Sequence, residues 1–335
     1  MARPVILDCD GLSLTADETA VFKELDPFGF ILFARNCQSP SQLKKLTDEM
    51  RQAVGREDVP IFIDQEGGRV CRLNPEYWRK PPSGAALLAL YEKDSEMGLV
   101  AAKINARLMA DELGSMGVSV NCYPLLDLYF SGADKVIGDR SYGDNGDIVA
   151  KLGEAACEGL LSGGVLPVIK HIPGHGRATV DSHIDLPIVD TPRETLSKTD
   201  FAPFKALNHM PLAMTAHVVY SAIDAINPAT LSEKVIRQVI REEIGFKGVL
   251  ISDDVNMKAL SGNPSKNAKQ ALRAGCDLIL HCNAPLTERR EVLEALYDVN
   301  LVSENWISDM FKSRDEISEV DADELAKWLE KVLKN

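Results

Sequence analysis

Eight short apolar runs recur along the chain, at residues 5–7, 30–34, 61–64, 118–121, 166–170, 212–215, 249–252 and 278–281. Each is continuous rather than alternating, and each is closed by a polar cluster. Continuous runs suit parallel strands buried on both faces. Between most of them, apolar positions recur at three- and four-residue steps, the spacing of an amphipathic helix. Residues 41–54 carry Leu43, Leu46, Met50 and Val54, and residues 95–114 carry Leu99, Ala102, Ala106, Met109 and Leu113. Residues 231–244 follow Thr230 and carry Val235, Ile236, Val239 and Ile240. Helical stretches at 147–161, 266–274 and 288–297 complete the alternation.

Strand then helix, repeated about eight times, fits either a closed parallel barrel or an open doubly wound sheet. Eight repeats favour an α/β fold of one (β/α)8 TIM-type barrel, with its active site at the C-terminal face of the strands. No Pro/Ser-rich linker or shift in composition divides the chain, so residues 1–335 are expected to form one domain. The final pattern, 321–333, places Leu325, Trp328, Leu329 and Val332 on one stripe. That helix is expected to pack on the barrel, with a dimer contact as the alternative.

Composition narrows the classes. With 45% hydrophobic and 26% charged residues the chain can bury a large core, which excludes a disordered protein. Lys and Arg number 37 against 50 Asp and Glu, a net charge of −13 that argues against a nucleic-acid partner. Asp8 and Asp10 break the first apolar run, and no window approaches the roughly 18 apolar residues of a membrane span. The seven cysteines contain no Cys-x-x-Cys pair, and reduced thiols in a cytoplasmic protein are expected. The sequence does not decide between monomer and homodimer.

Polar residues end six of the runs: Asp64; Asn121 with Asp127; Lys170 with His171; His217; Asp253 with Asp254; and His281. In a βα barrel these positions converge on one face, where active sites form. The densest segment is Lys170-His-Ile-Pro-Gly-His-Gly-Arg-Ala-Thr-Val-Asp181-Ser-His183, which holds three of the six histidines. Pro173, Gly174 and Gly176 make it a loop. In extended chain Asp181 and His183 point the same way, so the carboxylate can orient the imidazole for acid/base work. A metal site on His171, His175, Asp181 and His183, or a purely structural tether, are the alternatives; no metal-binding spacing is present. Of Asp253 and Asp254, one can serve as nucleophile, base or metal ligand and one as a helix cap, and alternation alone does not say which. In Asp64-Gln-Glu-Gly-Gly-Arg69-Val-Cys-Arg72 the double glycine allows close ligand approach. There Asp64 could accept from sugar hydroxyls and Arg72 donate to them, or the arginines could pair with rim carboxylates. Arg140 lies in a further loop, Ile137-Gly-Asp-Arg140-Ser-Tyr.

Together these segments resemble the bacterial β-N-acetylglucosaminidases of glycoside hydrolase family 3. The resemblance rests on Phe30-Ile-Leu-Phe-Ala-Arg-Asn36, Ile63-Asp-Gln-Glu-Gly-Gly-Arg-Val70 and Val136-Ile-Gly-Asp-Arg-Ser141. It rests further on Lys170-His-Ile-Pro-Gly-His-Gly176, Asp181-Ser-His183 and Ile251-Ser-Asp-Asp254. Ile172 stands where Phe is more usual, and Arg177-Ala-Thr-Val fills a variable gap. The resemblance implies a retaining hydrolysis of terminal β-linked N-acetylglucosamine (GlcNAc), without metal or cofactor. Asp253 would be the nucleophile, and His183 the acid/base with Asp181 as its partner. Asp64, Arg72, Arg140, Lys170 and His171 would hold the sugar. The substrate implied is a small GlcNAc glycoside, or a 1,6-anhydro-muropeptide in peptidoglycan recycling. The alternatives are a phosphorylase using the same residues and a metal-dependent hydrolase.

Overall fold

The computed structural model describes residues 2–73, 75–182, 184–297, 317 and 319–334. Eight of its strands form one parallel sheet: β1 (Arg3–Leu7), β2 (Pro27–Leu32), β3 (Ile61–Ile63), β4 (Val120–Asn121), β5 (Leu166–Ile172), β7 (Leu212–Thr215), β9 (Val249–Ile251) and β10 (Ile279–His281). Each pairs in parallel with its neighbour, in the order β10-β1-β2-β3-β4-β5-β7-β9. A parallel bridge from Ile251 to Leu278, next to β10, brings the two ends of the sheet together. All eight strands fall on the expected apolar runs. The two further strands, β6 (Ile188–Val189) and β8 (Val219–Tyr220), form a small parallel ribbon from the loops after β5 and β7.

The period of two along each strand divides the core. Ile6, Phe62, Val120, Val168, Leu212, Met214, Ile251 and Leu280 fill the barrel interior. Their strand neighbours, such as Val5, Leu7, Ile61, Ile63, Ile169, Ala213 and Ile279, pack outward on the helices. Both sets are buried, and that double burial makes each strand a continuous apolar run.

The helices start and stop where their end residues direct. Pro40–Val54 begins at Ser39, whose hydroxyl accepts from the Gln42 amide at 3.3 Å, and ends at Gly55 in the left-handed region (φ 67°). The sequence pattern passes over the helix Ala16–Leu25, although Thr15 and Glu18 form a capping box there. It also passes over Gly84–Lys93, Arg193–Lys198 and Ala202–Ala206. The helix expected over 231–244 differs in form. It is α-helical at Glu233–Val235 and then widens to π-helix over Ile236–Glu243, with the Ile244 amide donating to Val239 five residues back. Its cap is Ser232, because Thr230 is buried and bonded to the barrel residues Thr215 and His217. The C-terminal helix Ala322–Lys334 packs on the helix Ser95–Ser115, with Leu329 buried and Leu325, Trp328 and Val332 against the core. None of the described helices is long and apolar enough to cross a membrane.

Candidate active site

A cavity of about 320 Å³ opens among the C-terminal ends of the strands, within the usual range for small-molecule sites. Asp64, Arg72, Arg140, Lys170, His171, Asp181 and Asp253 all line it, with Glu66, His175, Asp254 and Phe33. These residues come from widely separated parts of the chain. The barrel gathers them because parallel strands all end at the same face. His183 lies outside the described residues.

The floor is a charge network. Lys170 Nζ, on β5, lies 2.9 Å from Asp64 Oδ1 and 2.6 Å from Glu66 Oε1. Arg140 grips Glu66 through both nitrogens of a fork, at 2.8 Å each. Arg72 donates to Asp64 Oδ2 at 3.0 Å. Burial alone would raise both carboxyls, but the adjoining cations win. Lys170 and Arg72 hold Asp64 well below the usual carboxylate range, and Arg140 and Lys170 bring Glu66 down to about 2. The carboxylates in turn hold Lys170 and Arg140 above their ordinary values, despite burial. Three cations thus face two carboxylates, which leaves the floor with one net positive charge although the whole chain is acidic. The alternative of arginine–carboxylate pairing at the rim holds for Arg69, which pairs with Asp139 at 3.0 Å.

Glu66 is the residue that sequence reasoning missed. Its signal was the two-residue step from Asp64, which puts both acids on one side of extended chain. The turn that follows needs glycine: Gly67 has φ 110°, and a Cβ there would sit 2.1 Å from the Pro82 carbonyl oxygen. Gln65 points the other way. Its backbone is clasped by Asn121, which accepts from the Gln65 amide at 3.0 Å and donates to its carbonyl at 2.9 Å.

Asp127 is fully buried and organises the next segment. It accepts from His171 Nδ1 at 2.7 Å and from the amides of His171 and His175. Burial would raise its carboxyl, but His171 and these donors hold it below the ordinary range. Burial, reinforced by the His171 ring, lowers His175 to about 4, so its imidazole is neutral at pH 7. At the end of β9 both aspartates line the cavity, in unlike settings. Both are half-buried, and Asp253 Oδ1 accepts from the Asp254 amide at 2.8 Å. Asp254 caps no helix, since turns follow it; it accepts from the amides of Asn256 and Cys282, at 3.0 Å each, and burial pushes its carboxyl up to about 8.

Four of the expected strand-end residues do not line the cavity: Asp127 lies behind it as the hub just described, and the other three are Asn121, His217 and His281. Asn121 holds the Gln65 backbone. His217 bridges Thr230 Oγ1 (2.7 Å) and the Asp254 carbonyl (2.9 Å), beneath the aspartate pair. His281 lies on the Ile279 side of its strand and faces the helices. Among the described residues, no three His, Cys, Asp or Glu side chains are grouped as a metal ion would require.

A barrel with ion-paired polar residues around an acidic strand end is the framework of a glycoside-cleaving enzyme. Residues 10–312 match the model of the glycosyl hydrolase family 3 N terminal domain, and the chain belongs to that family. It is 39% identical over 286 residues to a beta-hexosaminidase of Alkalilimnicola ehrlichii, covering 84% of this chain and 81% of that one. Among solved structures it resembles NagZ from Neisseria gonorrhoeae in complex with N-trifluoroacetyl-D-glucosamine (TM-score 0.84, 32% identity), with 99% of this chain and 96% of that one covered. It also resembles a glycoside hydrolase family 3 beta-N-acetylglucosaminidase from Paenibacillus sp. str. FPU-7 (TM-score 0.86, 32% identity), a longer chain of which it covers 66%, with 98% of its own length matched.

Proposed function

We propose that this protein is a retaining exo-β-N-acetylglucosaminidase that releases terminal β-linked GlcNAc in two steps. The observation that carries the reading is the Asp64–Lys170–Glu66–Arg140 network in one cavity with Asp253 and Asp181. Such a floor offers both acceptors and donors to adjacent hydroxyls. Asp64 accepts from them, while Lys170 and Arg72 donate to them, His171 presents its other ring nitrogen, Nε2, and Arg140 holds Glu66 in place. Asp253 attacks the anomeric carbon and forms a glycosyl-enzyme as the aglycone leaves. His183, polarised by Asp181, gives a proton to the departing oxygen and then takes one from the incoming water. An imidazole has an ordinary pKa near 6.5 and needs less tuning for both duties than a carboxylic acid would.

The natural substrate in this reading is a 1,6-anhydro-muropeptide of peptidoglycan recycling. The enzyme works in the cytoplasm as one barrel domain, a monomer or homodimer with no nucleic-acid or membrane partner. The test is release of 4-nitrophenol from its β-GlcNAc glycoside. Asp253→Ala should lower the rate at least about a thousandfold, and chelation with EDTA should leave it intact. Retention of activity in Asp253→Ala would overturn the assignment. Glucosamine 1-phosphate derivatives formed in phosphate buffer would move the reading to a phosphorylase.

A further inference from the structure

The loop after β5 divides into a part bound to the barrel and a part that stands away from it. Residues 174–177 are bound. The Tyr220 hydroxyl donates to the Gly174 carbonyl at 2.5 Å, and the His175 amide donates to Asp127 at 2.6 Å. A Cβ at Gly176 would sit 1.5 Å from the Leu128 carbonyl oxygen, so the two backbones are in close contact. Arg177 Nε pairs with Asp200 at 2.7 Å. Thr179 and Val180 are then exposed, and Ile184 and Asp185 are exposed further on. Between these exposed stretches Ser182 is only 3% exposed.

Ser182 is held from two directions. Its hydroxyl shares a hydrogen bond of 3.2 Å with His175 Nε2, inside the loop's bound part. Its carbonyl accepts from the Ala259 amide at 3.1 Å. Ala259 belongs to the buried turns that follow Asp254, where the Met257 amide donates to the Asp254 carbonyl at 3.0 Å. One serine therefore ties the outer loop both to the Asp127 hub and to the segment that continues from Asp253. In sequence, Ser182 stands between Asp181 and His183.

We propose that His175 and Ser182 are positioning residues that set the pose of the Asp181-bearing turn over the cavity, and so the efficiency of proton delivery to the leaving group. This rests on the acid/base reading given above. Both residues border the cavity, but the role proposed acts through the Asp181-bearing turn and not through contact with the substrate. Their contribution is geometric, and misplacement by about 1 Å can cost on the order of a hundredfold.

The test compares leaving groups. A 2,4-dinitrophenyl β-GlcNAc glycoside departs without protonation, whereas a 4-methylumbelliferyl glycoside has a poorer leaving group and draws on the acid. Ser182→Ala should lower kcat/KM on the methylumbelliferyl substrate by about 10- to 100-fold, and on the dinitrophenyl substrate by less than about threefold. Inhibition by free GlcNAc and the melting temperature should hold. Ser182→Thr, which keeps the hydroxyl, should restore most of the loss. Equal loss on both substrates, a lowered melting temperature accounting for the loss, or no loss at all would each overturn the proposal. Wild-type protein inactive on both substrates would instead remove the acid/base reading itself, and this inference with it.

Discussion

Replacing Glu66 with Gln tests whether the cavity floor is held by charge or merely by shape. Glu66 is 4% exposed and carries three short contacts, two from Arg140 at 2.8 Å and one from Lys170 at 2.6 Å. Gln keeps the volume and one acceptor. It removes the negative charge, leaving three cations facing Asp64 alone. Removing one partner of a buried ion pair costs about 3–5 kcal/mol, because the other charge stays buried and uncompensated. An unfolding entropy of about 2.1 cal/mol/K per residue over 335 residues gives roughly 0.7 kcal/mol/K. The expected fall in Tm is therefore about 4–7 °C. With Lys170 less firmly held, the grip on substrate hydroxyls loosens, and kcat/KM should fall by about tenfold or more. The pH dependence supplies an internal check. A carboxyl lowered from 4.5 to about 2 adds stability that is full above its unfolded value and is lost as pH falls through the folded one. Glu66→Gln should remove that part of the decline between about pH 4.5 and 2. Calorimetry across this range, with kinetics at pH 7, measures all three. An unchanged Tm together with unchanged kcat/KM would refute the charge network as the support of the site.

Two further outcomes follow from side chains away from the cavity. Burial lowers His281 to about 4; among the described residues neither ring nitrogen has a hydrogen-bond partner, and the Glu288 carboxylate lies 3.7 Å from Nε2. The unfolded chain takes up its proton first, so the stability from a neutral His281 is full above about 6.5 and drains as pH falls toward 4. His281→Leu should raise Tm relative to wild type by a margin that grows through that window, and a constant or negative margin would count against it. Leu329→Ala in the C-terminal helix should cost about 2–5 kcal/mol, or roughly 3–7 °C in Tm, and leave kcat/KM unchanged. Loss of activity at full stability would show that this helix serves the site rather than the core.

Much of the candidate site was legible because it is written in short strings. The Lys170–His183 segment and Asp253-Asp254 mark where two strands end, and all their described members that the resemblance places in the site line one cavity. Less legible was the division of labour among polar residues. Asn121, His217 and His281 occupy strand ends like the others, yet they brace the Gln65 backbone, the Asp254 carbonyl and the helix layer. Glu66 stood inside a motif already singled out, but its importance depends on Arg140, 74 residues away, and on Lys170 beyond it.

The number, positions and parallel character of the barrel strands follow from the sequence by itself, while their closure in chain order is seen in the structure. A strand covered on both faces must be apolar at every position, and that mark is local. The helices with clear three- and four-residue stripes follow from it for the same reason. Only the tertiary structure decided which carboxylates stay ionised inside, because that depends on which cations closure of the barrel brings within about 3 Å of them. It also decided that 236–243 runs as π-helix, which the apolar period does not specify. Lastly, it separated Asp253 from Asp254. Adjacent and chemically identical, both border the cavity, and they differ in what meets them: the amides of Asn256 and Cys282, one of them from the next strand end, meet the second, while the first accepts from the amide of its own neighbour.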